Sequence, residues 1–184
     1  VHHENLYPGE SVGVSCPDIA KYETDQDTVT LSGDAPTLID VTYTLIAHNL
    51  VVTCKDANGN TLETYTERIG EDQNYSIPVK QFTGYTPRQE YLTGYMGVDD
   101  QTAEVIYDVH THMVTIQYLY LSDDSTAAQS YTTYLDYGQS LTVESPVLLG
   151  YKVATEGDES VHIDSMPDHD YVKTVYYTEM EAQA

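Results

Sequence analysis

Positive charge is scarce in this chain: seven Lys and Arg stand against 30 Asp and Glu, leaving a formal net charge of −23. A surface of that sign repels the phosphate backbone and excludes nucleic-acid binding. It disfavours anionic membranes for the same reason. Tryptophan is absent and phenylalanine occurs once. The two cysteines, Cys16 and Cys54, are too few for a disulfide framework or a zinc finger. Two free, buried thiols are the expected state, with a bridge between them as the alternative. There is no membrane-length apolar run, signal peptide or lipidation motif. Gly-x-Ser-x-Gly, a phosphate-binding loop and a Cys/His pair suited to nucleophilic catalysis are all missing. So are long Ala-, Leu-, Glu- and Lys-rich stretches of helical character.

What is present favours strands. The 184 residues include 18 tyrosines and are rich in Thr and Val, residues that suit a pleated, half-buried surface. The length fits one large domain or two to three small ones. Modules of about 60 residues are marginal alone and gain from stacking on neighbours.

Three landmarks recur in fixed order, the mark of an internal repeat. The first is a glycine followed by an acidic or amide residue, at Gly9-Glu10, Gly70-Glu71 and Gly138-Gln139. The second runs from a proline to a small residue or lysine followed by tyrosine: Pro17 to Tyr22, Pro78 to Tyr85 and Pro146 to Tyr151. The third is Val-x-Tyr, at Val41-Thr42-Tyr43, Val105-Ile106-Tyr107 and Val175-Tyr176-Tyr177. Successive Val-x-Tyr valines are 105 − 41 = 64 and 175 − 105 = 70 residues apart.

Within a unit, Leu50, Val52 and Cys54, or Val114, Ile116, Tyr118 and Tyr120, alternate as a half-buried strand does. The turns 56–60, which contains Asn58-Gly59, and 121–125 follow, then return strands over 61–69 and 127–137. Short strands at 75–77 or 141–143 lead into the Pro loop, and strands at 103–109 or 173–178 close the unit. The first copy begins at its second strand, around residues 1–7, and lacks the opening one.

The Asp-x-x-Gly-Asn turn, the Gly-acid step, the Pro-to-Gly-Tyr loop and the closing Val-x-Tyr strand together resemble the MucBP (mucin-binding protein) repeat of Gram-positive cell-surface adhesins. The resemblance is best over 50–108 and good over 113–178, and 1–44 matches the latter two-thirds of a unit. It divides the chain into a partial repeat at 1–46, repeats at 47–109 and 110–179, and a tail at 180–184. The fold implied is mainly β, in tandem small β-grasp-like (ubiquitin-like) modules strung into an elongated rod. The function implied is that of a non-catalytic repeat region of an extracellular surface protein. It would be exported and anchored to the cell wall by parts outside these residues. Its partners would be mucin or other host glycoprotein glycans and neighbouring repeats of the same chain, with no cofactor and no membrane insertion. A passive spacer projecting a distal binding domain is the alternative.

Candidate sites are few. Asp56, Asn58, Asn60 and Glu67 fall at calcium-loop positions 1, 3, 5 and 12, but position 6 is Thr61 and the flanks are strands, so a hairpin turn is expected. His110 and His112 would share a strand face and offer two imidazoles. No third ligand lies nearby in sequence, so these two read as a linker and no metal site is assigned. His162 and His169 lie in a polar, acidic loop and are treated the same way. The pairs Glu71-Asp72, Asp99-Asp100, Asp123-Asp124 and Asp158-Glu159 fall in expected turns, where solvation accounts for them. Tyr91 and Tyr95 lie outside the alternating core pattern, beside Gly94 and Gly97, in what reads as a mobile loop. Their rings and hydroxyls suit sugar recognition, and they are the candidate carbohydrate-binding residues.

Overall fold

Alternating burial explains the regular structure. In the computed structural model, which describes residues 5–34 and 38–181, every regular element is a β-strand. The first group is β1 (Ser11–Ser15), β2 (Tyr22–Thr24), β3 (Thr28–Ser32) and β4 (Tyr43–Leu45). The second is β5 (Ala47–Asp56), β6 (Thr61–Gly70), β7 (Gln73–Pro78), β8 (Tyr85–Pro87), β9 (Tyr91–Met96) and β10 (Gln101–Val109). The third is β11 (Thr111–Tyr120), β12 (Thr126–Asp136), β13 (Leu141–Glu144), β14 (Tyr151–Val153), β15 (Ser160–Ile163) and β16 (Tyr171–Glu179).

The strand orders repeat. One four-stranded sheet reads β6-β5-β10-β8 and the other β12-β11-β16-β14. Two-stranded sheets β7-β9 and β13-β15 accompany them. The first group supplies only the latter part of this pattern, β1 with β3 and β2 with β4. The expected strand at 1–7 is not seen where it can be checked: residues 5–7 are not strand, and 1–4 lie outside the described residues.

The chain divides into two compact units. One comprises 1–53, 63–78 and 91–104; the other comprises 54–62, 79–90 and 105–184. In the first, β1 pairs antiparallel with β3 (Val12↔Leu31), β2 with β4 (Tyr22↔Leu45) and β7 with β9 (Ile77↔Leu92). In the second, β11 pairs antiparallel with β12 and parallel with β16 (Val114↔Tyr171). A parallel pair needs a crossover connection. Here β13 and β15, paired antiparallel, lie in that crossover. A β-grasp module would carry a helix there; none occurs among the described residues.

The core of the second unit gathers Val114, Ile116 and Tyr118 of β11, Val175 and Tyr177 of β16, Val161 and Ile163 of β15, and Met166. Each fully buried apolar side chain of this size contributes about 1.5–3 kcal/mol. Leu50, Val52 and Cys54 of β5 and Val105 and Tyr107 of β10 are likewise buried.

The three sequence landmarks recur as backbone geometry. Tyr22, Tyr85 and Tyr151 open β2, β8 and β14, and their N–H groups donate to the carbonyls of Ile19, Phe82 and Leu148. The residue before each is left-handed: Lys21 at φ 70°, Gly84 at 79° and Gly150 at 82°. Their carbonyls accept from the N–H of Ile46, His110 and Met180 at 2.8, 2.8 and 2.9 Å. The hydroxyls of the Val-x-Tyr tyrosines Tyr43, Tyr107 and Tyr177 then donate to the carbonyls of Pro17, Lys80 and Pro146 at 2.7, 2.8 and 2.6 Å. Each hydroxyl thereby ties the closing strand to the Pro loop. The glycine landmark is less uniform. Gly9 and Gly138 are left-handed, whereas near Gly70 the left-handed residue is Asp72 at φ 56°. A Cβ on Gly70 would meet Leu45 Cδ2 at 2.4 Å, so there the glycine makes room rather than a turn.

Two further expectations need correction. Tyr91 and Tyr95 are not in a loop but on strand β9, because Leu92 and Met96 alternate with them as buried residues. Gly94 breaks that alternation by accepting the ring of Tyr75: a Cβ there would lie 2.4 Å from its hydroxyl oxygen. Both cysteines are free, but only Cys54 is buried; Cys16 is partly exposed.

Candidate functional site

The outward row of β9 is Tyr91, Thr93 and Tyr95. Tyr91 is 55% and Tyr95 52% exposed. Alternation sends both rings to one side of the strand, about 13 Å apart at four residues' separation. The Tyr95 hydroxyl donates to Asp72 Oδ1 at 2.7 Å, and Lys21 pairs with Asp72 Oδ2. The hydrogen bond from Lys21, then that from Tyr95, holds the Asp72 carboxyl below the usual range. The same contact raises the Tyr95 hydroxyl above its ordinary value. The Tyr95 ring is thus anchored at its tip. The corresponding outward positions of β3 and β15 are Thr28, Thr30 and Ser32, and Ser160 and His162, without tyrosine.

The second cluster unites residues far apart in sequence. The parallel register Val114↔Tyr171 lays the residues before β16 beside those before Val114. Asp168 Oδ1 consequently lies 2.6 Å from His110 Nδ1 and 2.9 Å from His112 Nε2. The two imidazoles stand 83° to one another with centroids 6.1 Å apart. Asp168 Oδ2 accepts the N–H of Gly84 at 3.2 Å. Hydrogen bonds from His112 and then His110 hold the Asp168 carboxyl below the usual range. The nitrogens facing away are also attended: His110 Nε2 lies 2.8 Å from Thr86 Oγ1, and His112 Nδ1 lies 3.8 Å from Asp170 Oδ1. Asp170 is itself fixed by the Met113 N–H at 2.9 Å. His110, His112 and Asp168 offer three ligand atoms within 4.8 Å of one another. Sequence spacing shows the two histidines but not Asp168, 56 residues beyond His112. The pairing of β11 with β16 is the signal that would have found it.

Several of the remaining candidates have structural partners. Asp56 Oδ1 accepts the N–H groups of Asn58 and Asn60, and Oδ2 accepts the Asn60 side-chain amide at 2.8 Å. The bond from the Asn60 side chain leads the causes that lower its pKa. These residues build the expected hairpin turn, with Gly59 at φ 90°. Asp100 caps Asn49, Asp123 caps Ser125, Asp158 pairs with Lys173 at 3.1 Å, and Glu71 faces His48. His162 contacts Thr142 Oγ1, and His169 its neighbour's carbonyl.

No family model matches this chain, and no curated protein matches it. Solved structures do resemble it. They include a type 2 repeat of the mucus-binding protein MUB from Lactobacillus reuteri, 17% identical, covering 72% of this chain and 100% of that one at a TM-score of 0.32. A MucBP domain of a Lactobacillus acidophilus protein is 23% identical over 39% of this chain and 92% of its own, with a TM-score of 0.27. The Bacillus anthracis TIE protein is 10% identical over 92% of this chain and 42% of its own, with a TM-score of 0.49.

Proposed function

We propose that this chain is a non-catalytic repeat region of an extracellular, cell-wall-anchored adhesin, with repeats at 1–46 (partial), 47–109 and 110–179. In this reading the outward face of β9 contacts carbohydrate of the mucin or host-glycoprotein kind. The observation that carries it is the pair of half-exposed rings, Tyr91 and Tyr95, on one side of a single strand. Flat apolar faces with hydroxyl edges match the stacking and hydrogen-bonding needs of sugar rings. The thrice-used tyrosine hydroxyl bond to the Pro loop supports a duplicated unit. The engagement of Asp56, Asp100, Asp123 and Asp158 in turn and ion-pair contacts supports a structural rather than catalytic role for the acidic residues.

The test is binding of the whole chain to immobilised mucin and to a glycan panel, beside Tyr91→Ala, Tyr95→Ala and the double variant. Saturable binding that weakens about tenfold in the double variant is expected, each stacked ring supplying about 0.5–1.5 kcal/mol. The spacer reading is favoured by one observation: β3 and β15 carry no tyrosine at the matching outward positions. Absence of saturable binding, or binding unchanged in the double variant, would select it.

A further inference from the structure

We propose that His110, His112 and Asp168 form a binding site for a first-row transition-metal dication of the Zn²⁺ type, completed by an exchangeable fourth ligand. Three donors of two kinds converge: His110 Nδ1, His112 Nε2 and Asp168 Oδ1, all within 4.8 Å of one another. Around a tetrahedral Zn²⁺, ligand atoms at about 2.0–2.2 Å from the ion lie roughly 3.3 Å apart. The observed N···O separations of 2.6 and 2.9 Å therefore need to open by about half an ångström, and the two ring nitrogens, which lie within 4.8 Å of one another, need to close toward the same spacing.

The surroundings prepare each donor. A metal-bound imidazole presents its other N–H to an acceptor, which fixes ring and tautomer. His110 Nε2 has Thr86 Oγ1 at 2.8 Å, whereas His112 Nδ1 stands 3.8 Å from Asp170 Oδ1, which the Met113 N–H holds in place, so that ring must shift slightly to donate. Asp168 leaves Oδ1 to the site because its Oδ2 takes the Gly84 N–H. Two nitrogens and one carboxylate oxygen suit Zn²⁺, Co²⁺, Ni²⁺ or Cu²⁺, whereas Ca²⁺ and Mg²⁺ call for all-oxygen shells. The His110 and Asp168 side chains are 36% and 30% exposed, so the fourth position opens to solvent or to a donor from another molecule. A bound ion would tie the residue between β10 and β11 to the loop that enters β16. This inference stands apart from the β9 reading and shares no residue with it.

The test is calorimetric titration of the chelator-stripped full chain with ZnCl₂, with CaCl₂ as comparison and Co²⁺ absorption as a report on coordination. One saturable Zn²⁺ site is expected, with no matching Ca²⁺ heat and a tetrahedral Co²⁺ band. His112→Ala and Asp168→Asn should each weaken binding tenfold or more, and Thr86→Val about tenfold by freeing the far nitrogen of His110. His162→Ala and the double variant His2→Ala/His3→Ala should bind like the parent. Circular dichroism of each variant separates loss of the site from loss of the fold; Thr86→Val, which removes no ligand, gives a second comparison. No saturable site would overturn the proposal. So would binding that survives His112→Ala and Asp168→Asn, or that disappears in the His2/His3 variant.

Discussion

The Tyr177 hydroxyl donates to the carbonyl oxygen of Pro146 at 2.6 Å, joining β16 to the loop between β13 and β14. Its ring is 2% exposed and meets Tyr118 edge-on at 6.4 Å. One side chain thus fills the core of the second unit and satisfies a loop carbonyl. Tyr177→Phe keeps the ring and loses the bond, so it should cost about 1–3 kcal/mol in urea unfolding. Tyr177→Ala should cost about 3–5 kcal/mol. No loss in Tyr177→Phe would mean that the hydroxyl bond contributes nothing, and equal losses in the two variants would mean that the ring adds nothing to it.

Gly84 and Gly150 occupy matching places at nearly the same positive φ, 79° and 82°. They differ in what surrounds them. A Cβ on Gly150 meets nothing within 4 Å, whereas one on Gly84 would lie 2.1 Å from the Tyr137 ring. Gly150→Ala should therefore show backbone strain alone, about 1–2 kcal/mol. Gly84→Ala should lose more, and Tyr137→Ala should recover part of that difference in a double-mutant cycle. Thermal unfolding of the four variants checks this.

Gly94 and Tyr75 form a second such pair, directly opposite on β9 and β7. Gly94→Ala would push a methyl into the Tyr75 ring and should destabilise by about 1–3 kcal/mol. In the background Tyr75→Ala the same change should cost much less. Undiminished cost there would show that the ring is not what the glycine accommodates.

Acid sensitivity follows from Asp56. Bonds from the Asn60 side chain and the turn N–H groups lower its native pKa beneath the unfolded value. A depressed carboxylate contributes stability above the unfolded pKa and loses it as pH falls through the native one. Stability measured from pH 6 downward should therefore drop below roughly pH 4, the ordinary carboxylate range. Asp56→Asn should be less stable at neutral pH and show a shallower acid slope. An unchanged slope would contradict this.

Much of the β architecture was legible because alternation and landmarks are local. Leu50, Val52 and Cys54 announce β5, and Asn58-Gly59 announces the turn after it. Val105, Tyr107, Val175 and Tyr177 mark the closing strands. What could not be read depends on distant pairing. The strand beneath Tyr91 and Tyr95 was hidden by Gly94, whose role appears only when Tyr75 lies opposite. Asp168 joins His110 and His112 only through the parallel register of β11 and β16. The β-strands in the crossover, where a β-grasp carries a helix, lie in short runs whose partners are equally non-local.

The most direct test of the account concerns autonomy of the repeat proposed at 110–179. Residues 110–181, produced alone, should give dispersed amide resonances and one cooperative, concentration-independent unfolding transition, because β11–β16 bring their own core and their own Tyr177 hydroxyl bond. A random-coil spectrum, or structure that appears only when residues 47–109 are attached, would contradict it.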